Sequence, residues 1–159
     1  MVRVSGRASC STCASDISES KEELMKATGR CLCGAVTFEA QGVEPGMHVC
    51  HCSTCRRWAG GPTFASGVAT VAFQGQANIG RFDSSTWAER GFCKRCGSSL
   101  FYRLKQTDQY IIHMGAFDSQ VPFAVSSEIY IDEKPPGYDL AGAHPRLTGE
   151  EFMATLQEQ

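Results

Sequence analysis

The sequence predicts a mainly β domain of short antiparallel strands, flanked by short helical tails and held together by metal. Three observations predict it. Short runs of β-branched and aromatic residues recur along the middle of the chain, broken by glycine and polar turns. Nine cysteines stand among 159 residues, more sulfur than a plain core uses. Seven of the nine, between Cys31 and Cys96, fall in close clips, and thiolate is the preferred ligand of a soft metal.

The bulk numbers narrow the class. A chain of 159 residues has room for one domain with a core and tails. The formal net charge is −2 and the basic residues are scattered, which argues against a nucleic-acid partner. No apolar run approaches the ~20 residues of a membrane span. Met1-Val2-Arg3-Val4-Ser5-Gly6 has no apolar h-region, so no secretory signal is expected and the expected location is cytoplasmic. In a reducing compartment, an odd and high cysteine count speaks for metal binding over a disulfide framework.

Residues 1–28 read as an N-terminal tail, partly helical or disordered, rich in Ser, Glu and Lys. Ser20 with Glu23 makes a capping box for a short helix, Lys21 to Ala27, ended by Gly29. Cys10-Ser11-Thr12-Cys13 in this tail repeats Cys52-Ser53-Thr54-Cys55 letter for letter. A stray repeat, a third metal clip and a redox pair are the readings open to it; the first is favoured, because a mobile tail preorganises a metal site poorly.

From Gly29 to about residue 143 the texture is that of the zinc domain. Ala35 to Ala40 alternates like a half-buried strand. Gln41 to Gly46 is turn-rich, and Met47-His48-Val49 leads into the central cysteines. Thr63 to Phe73 is strand-rich, with Gly67 as a bulge or bend. Ile79 to Phe82, Thr86 to Phe92, Ser99 to Leu104, Tyr110 to Met114 and Glu128 to Ile131 read as further strands. Pro135 and Pro136 then stop any ladder. In the C-terminal segment, 144–159, Thr148 and Glu151 form a capping box and Leu147 can staple to Phe152. A helix is expected from Gly149 to about Leu156.

The cysteines divide as four plus three. Cys31-Leu32-Cys33-Gly34 and Cys93-Lys94-Arg95-Cys96-Gly97 resemble two zinc knuckles, each with a glycine that lets the backbone turn tightly. Structural zinc takes four protein ligands, and its binding free energy is on the order of 10 kcal/mol. Cys50, Cys52 and Cys55 remain for a second site, where three protein ligands would leave one position open. A fourth ligand from His51, His48 or a tail cysteine would close it, although a sequence neighbour such as His51 strains to bind the same ion. A partition of Cys52 and Cys55 with Cys93 and Cys96 is chemically legal but strands three thiols.

Other side chains carry weaker signals. Arg56 and Arg57 could hold a carboxylate or polarise a carbonyl beside the open site, or form a solvated turn. His113 in an apolar strand reads as a packed histidine rather than a ligand. Trp58 and Trp87 read as core or pocket wall. Asp83, Asp118 and Tyr138 are candidate rim groups. There is no phosphate loop, nucleophile elbow or HExxH.

Three stretches in order resemble a known family: Gly29-Arg30-Cys31-Leu32-Cys33-Gly34-Ala35-Val36, Cys50-His51-Cys52-Ser53-Thr54-Cys55-Arg56-Arg57-Trp58-Ala59-Gly60, and Gly91-Phe92-Cys93-Lys94-Arg95-Cys96-Gly97-Ser98. They are similar to the glutathione-dependent formaldehyde-activating (GFA), or centromere protein V-like, zinc proteins. Gly115-Ala116-Phe117-Asp118 and Glu128 to Pro136 fit as well, so the resemblance covers about residues 29 to 140. It implies a β-tent fold and two zinc ions. Cys31, Cys33, Cys93 and Cys96 would bind the structural zinc, and Cys50, Cys52 and Cys55 a second zinc at a glutathione site. The implied activity is that of an S-(hydroxymethyl)glutathione synthase, a carbon–sulfur lyase with glutathione as co-substrate and formaldehyde as the aldehyde. The chain departs from the family at Pro136-Gly137-Tyr138, where many members carry a tryptophan; if that residue lines the pocket, a different substrate is implied.

Three functions follow from these residues. One is an enzyme joining or splitting a small-molecule thiol and an aldehyde at Cys50, Cys52 and Cys55. Another is a non-catalytic, zinc-stapled binding module. The third is a redox or metal-buffer role that would also use Cys10 and Cys13.

Overall fold

The computed structural model describes residues 25–118 and 124–157. In chain order the elements are β1 (Lys26–Arg30), β2 (Thr37–Gln41), β3 (Gly46–Cys50), α1 (Ser53–Ala59), β4 (Thr63–Val68), β5 (Thr70–Gln74), β6 (Ile79–Asp83), β7 (Ala88–Cys93), β8 (Ser99–Leu104), β9 (Tyr110–His113), β10 (Ala124–Ile129), β11 (Arg146–Leu147) and α2 (Gly149–Gln157). Short 3-10 turns cover Gln76–Asn78, Met114–Ala116 and Ile131–Glu133. The fold is mainly β, as the sequence predicts.

The strands form two sheets. A three-stranded sheet has the order β1-β2-β5, and an eight-stranded sheet has the order β11-β10-β3-β4-β9-β8-β7-β6. Most pairs are antiparallel, but β10 runs parallel to both β3 and β11. Ala69 alone separates β4 from β5, so the chain changes sheet within one residue. Its N–H bonds the Gln41 carbonyl at 3.0 Å. The break expected at Gly67 therefore falls at Ala69, and Gly67 stays in the ladder opposite Ile111.

The core lies where the two sheets meet. In β2, Phe38 and Ala40 point inward while Glu39 and Gln41 face out, the period-2 pattern of a half-buried strand. Phe38 and Phe73 of the small sheet join Phe101 and Tyr110 of the large one through ring contacts of 5.0 to 5.8 Å. Val36, Val68, Leu100 and Ile112 fill the space around them. Gly91 faces Phe101, and a Cβ there would collide with the ring.

Several expectations are corrected. The helix expected from Lys21 to Ala27 is contradicted at its C-terminal end, because Lys26–Arg30 is a strand. Ala27 and Gly29 pair with Ala40 and Phe38, and tertiary pairing overrides a local cap signal. The sheet thus begins ahead of Gly29, the expected limit of the tail. Ser20, Glu23, Cys10 and Cys13 lie outside the described residues. Residues 53–59, where the sequence predicts no helix, form α1, so Arg56 and Arg57 stand on a helix and not in a solvated turn. Trp87 is not core, being 57% exposed.

The C-terminal segment is part of the large sheet through β11, and α2 follows directly. The capping box closes reciprocally. The Glu151 N–H donates to Thr148 Oγ1 at 3.2 Å, and the Thr148 N–H to Glu151 Oε2 at 2.7 Å. No helix among the described residues is long and apolar enough to cross a membrane.

Candidate functional site

The turn after β1 and the turn after β7 are built alike. In the first, the Cys31 N–H bonds the Val36 carbonyl at 3.0 Å; in the second, the Cys93 N–H bonds the Ser98 carbonyl at 2.9 Å. Each turn passes through a glycine in the left-handed region, Gly34 at φ 73° and Gly97 at φ 76°. The result is a cluster of four sulfurs, Cys31, Cys33, Cys93 and Cys96, all within 4.8 Å of one another.

Sulfurs at the corners of a zinc tetrahedron with Zn–S ~2.3 Å would stand ~3.8 Å apart. Cys31 Sγ and Cys33 Sγ are 3.6 Å apart, and Cys33 Sγ and Cys93 Sγ are 3.8 Å apart. None of these cysteines is in a disulfide. The donor set suits a soft divalent cation such as zinc. N–H and O–H groups support the sulfurs, as the Val36 N–H does Cys31 at 3.3 Å. The Ser98 hydroxyl, with the backbone N–H groups of Ser98 and Cys33, holds the Cys96 thiol down at about 5.

The second cluster is local. Cys50 ends β3, Cys52 caps α1 and Cys55 lies in its first turn. Cys52 Sγ accepts the Cys55 N–H at 3.4 Å. The three sulfurs lie within 4.8 Å of one another, and no described His, Cys, Asp or Glu joins them. Hydrogen bonds from Cys50 and Cys52, with the Arg90 charge adding, hold the Cys55 thiol at about 2 against the opposing effect of burial. The same shared bonds push Cys50 up.

His51, the candidate fourth ligand, faces the other way. Its ring is fully buried, with Nε2 2.8 Å from Glu128 Oε2 and Nδ1 2.8 Å from the Tyr138 hydroxyl. The second Glu128 oxygen takes His144 Nε2 at 2.7 Å and Arg146 Nε at 2.9 Å. His48 is also engaged elsewhere, with Ser127 at 2.7 Å. The clusters therefore separate as Cys31/Cys33/Cys93/Cys96 and Cys50/Cys52/Cys55, and the mixed partition does not form.

The two arginines after Cys55 differ. Arg56 is half-buried; its Nε donates to the His51 carbonyl at 2.8 Å, and its Nη2 lies 4.0 Å from Glu133. Arg57 is exposed. Both line an open depression of about 410 Å³, together with Ser53, Gly61, Pro135 and Tyr138. Of the rim candidates, Tyr138 reaches this depression, whereas Asp83 pairs with Lys105 and Asp118 with Arg30.

Arg90 was not singled out in the sequence. It is 4% exposed, and its Nη2 donates to Cys55 Sγ at 3.5 Å. Its guanidinium lies over the ring of Tyr102, at 5.1 Å, and over that of Trp58, at 5.9 Å. His113 is 7% exposed, and burial, with Arg90 adding, pushes its pKa down to about 4. A signal for Arg90 did exist: it alternates with Ala88 and Phe92, so it stands where a strand presents apolar groups.

A family model described as glutathione-dependent formaldehyde-activating enzyme matches residues 26–133. A Schizosaccharomyces pombe protein named as an uncharacterised lyase is 34% identical over 130 residues, covering 80% of this chain and 95% of its own. A Halomonas elongata protein provisionally named as a glutathione-dependent formaldehyde-activating enzyme is 40% identical over 85 residues, 46% of this chain and 53% of its own. A solved structure of a Rhodobacter sphaeroides protein is 21% identical with a TM-score of 0.48, covering 75% of this chain and 98% of that one.

Proposed function

The chain belongs to the glutathione-dependent formaldehyde-activating enzyme family. On that premise we propose that it is a zinc-dependent carbon–sulfur lyase, joining or splitting glutathione and a small aldehyde such as formaldehyde. The observation that carries this reading is the three-thiol cluster Cys50/Cys52/Cys55, with no fourth protein ligand among the described residues. A closed structural site has no reason to stop at three.

In this reading Cys31, Cys33, Cys93 and Cys96 hold a structural zinc that staples the turn after β1 to the turn after β7. Cys50, Cys52 and Cys55 hold the second, catalytic zinc. Bound there, zinc supplies a positive charge that stabilises a substrate thiolate or polarises an aldehyde oxygen. The chain itself does the positioning. Glu128 and Tyr138 lock the His51 ring, and with it the backbone between two of the thiols. The Glu133 carboxylate accepts the Ser53 N–H at 2.7 Å, fixing the start of α1. Arg57, exposed beside the depression, is placed to receive a glutathione carboxylate, with Arg56 as its neighbour. Thiol and aldehyde held together gain the advantage of proximity.

The test is a native mass spectrum of the reduced protein, alone and with glutathione, followed by magnetisation-transfer NMR of glutathione and formaldehyde. Two zincs, a glutathione adduct lost in Cys52→Ser, and accelerated exchange are expected. Two zincs without an adduct or exchange would overturn the enzyme reading in favour of a zinc-stapled binding module.

A further inference from the structure

Four buried side-chain nitrogens lack a hydrogen-bond partner among the described residues: Trp58 Nε1, Arg90 Nε, Arg90 Nη1 and His113 Nε2. Buried polar atoms are nearly always paired, so each orphan needs an explanation. These four are not scattered. Arg90 pairs across the ladder with Tyr102, and Tyr102 with Ile111. His113 is two residues further along β9 and so on the same face. It lies opposite Ala65, which with Thr63 and Cys50 continues that face to the second cluster. Trp58, from α1, covers the same spot.

The one partner that Arg90 has is unusual too. A buried guanidinium normally faces a carboxylate, because desolvating an unpaired charge is costly. Arg90 has no ion pair with a carboxylate among the described residues; its one hydrogen-bond partner is Cys55 Sγ. The rings of Tyr102 and Trp58 both lie against the guanidinium, at 5.1 and 5.9 Å. Two of its nitrogens, Nε and Nη1, thus have nothing to donate to.

We propose that Arg90 and His113 form a subsite for an anionic oxygen of the substrate, beside the thiol held at Cys50/Cys52/Cys55. This deepens the function proposed above and rests on it for the identity of the reaction. When a glutathione thiolate attacks the aldehyde, the sulfur pair forms the C–S bond and the C=O π pair moves to oxygen. The proton that glutathione lost on binding returns to that oxygen from water, so nothing is oxidised or reduced. Arg90 Nε–H and Nη1–H donate to the oxygen while it carries charge. Such donors act on the transition state more than on the bound thiol. The same pair would hold the carboxylate of an acidic aldehyde, so formaldehyde and glyoxylate are both to be compared as substrates.

The experiment uses the full zinc-loaded chain as wild type, Arg90→Gln and Arg90→Lys. Zinc content, glutathione affinity, calorimetric binding of formate as an anionic-oxygen probe, and aldehyde exchange with glutathione are measured on each. Removing one oxyanion donor elsewhere costs about 10²- to 10³-fold in rate. Arg90→Gln is therefore expected to keep two zincs and glutathione affinity within about threefold, to lose formate binding at least tenfold and to lose exchange about a hundredfold. Arg90→Lys is expected to recover part of both losses. Formate binding that is absent from the wild type, or unchanged in Arg90→Gln, overturns the subsite. So does loss of zinc from the second cluster in both variants, which would make Arg90 only a clamp on Cys55. If the wild type catalyses no exchange with formaldehyde or glyoxylate yet binds formate through Arg90, the subsite stands and the lyase reading falls. If Arg90→Gln exchanges as fast as wild type, the lyase reading stands and the subsite falls.

Discussion

His51 Nε2 lies 2.8 Å from Glu128 Oε2, and neither side chain has any exposure to solvent. The histidine stands between two metal-type thiols in sequence and yet turns its ring away from them. The carboxylate that claims it also takes His144 and Arg146. One buried group therefore ties the thiol loop to the C-terminal segment.

Glu128→Ala should cost about 3–5 kcal/mol, because His51, His144 and Arg146 would lose a shared buried partner. Burial alone would raise the Glu128 pKa. Hydrogen bonds from His144, His51 and Arg146 outweigh it and bring the group below its ordinary 4.5. A depressed carboxylate stabilises the fold above its unfolded-state value and loses that contribution as pH falls through the folded value. The stability gap between wild type and Glu128→Gln should thus be full at pH 7 and shrink below about pH 4.5. Urea unfolding at several pH values checks this; a gap that widens in acid would refute it.

Chelation and cysteine substitution should separate the two clusters. Cys93→Ser breaks the four-sulfur set that joins two distant turns. With zinc binding on the order of 10 kcal/mol, comparable to the whole stability of a domain, this variant should fail to fold. Cys52→Ser should keep its β-sheet circular dichroism and lose one zinc together with activity. Equal folding defects in the two variants would count against the division of roles.

Glycine positions differ in what they need. Gly91→Ala should cost about 1–3 kcal/mol, because the new Cβ meets the Phe101 ring in the core. Gly34→Ala meets nothing, yet its φ of 73° should cost about 1–2 kcal/mol and weaken zinc retention. Gly61→Ala has neither obstacle and should be near neutral. Melting temperatures and zinc content of the three variants give the comparison.

Arg56 and Arg57 should part company. Arg56→Ala removes the donor to the His51 carbonyl and should lower stability by about 0.5–1.5 kcal/mol. Arg57→Ala should leave the melting temperature unchanged. It should weaken glutathione binding by about threefold to fivefold, the scale of an exposed charge pair. Unaltered glutathione affinity in the double variant would remove both arginines from the binding site.

The chain's local chemistry determined much on its own. Clips of cysteine followed by glycine announce tight turns that aim sulfur at a common point, and strand alternation announces half-buried β-structure. The Thr148–Glu151 box closes within three residues. Each is a short-range property, set by backbone sterics and side-chain period, so it is legible without the rest of the fold.

What tertiary structure decided runs through long-range partners. His51 is drawn from the metal by Glu128, 77 residues away, and no spacing rule carries that contact. Lys26 and Ala27 look like the end of a helix until β2 offers Lys26–Arg30 a ladder. The parallel pairing of β3 with β10 joins segments that have no turn between them to reveal it. Arg90 reads as one more charge in a strand until sheet register places it on Cys55, 35 residues away, against two aromatic rings. Sequence sets which groups a segment can offer. Which of them meet in the dry interior is set by the packing of the two sheets, where a single residue's slip would turn each side chain to the opposite face.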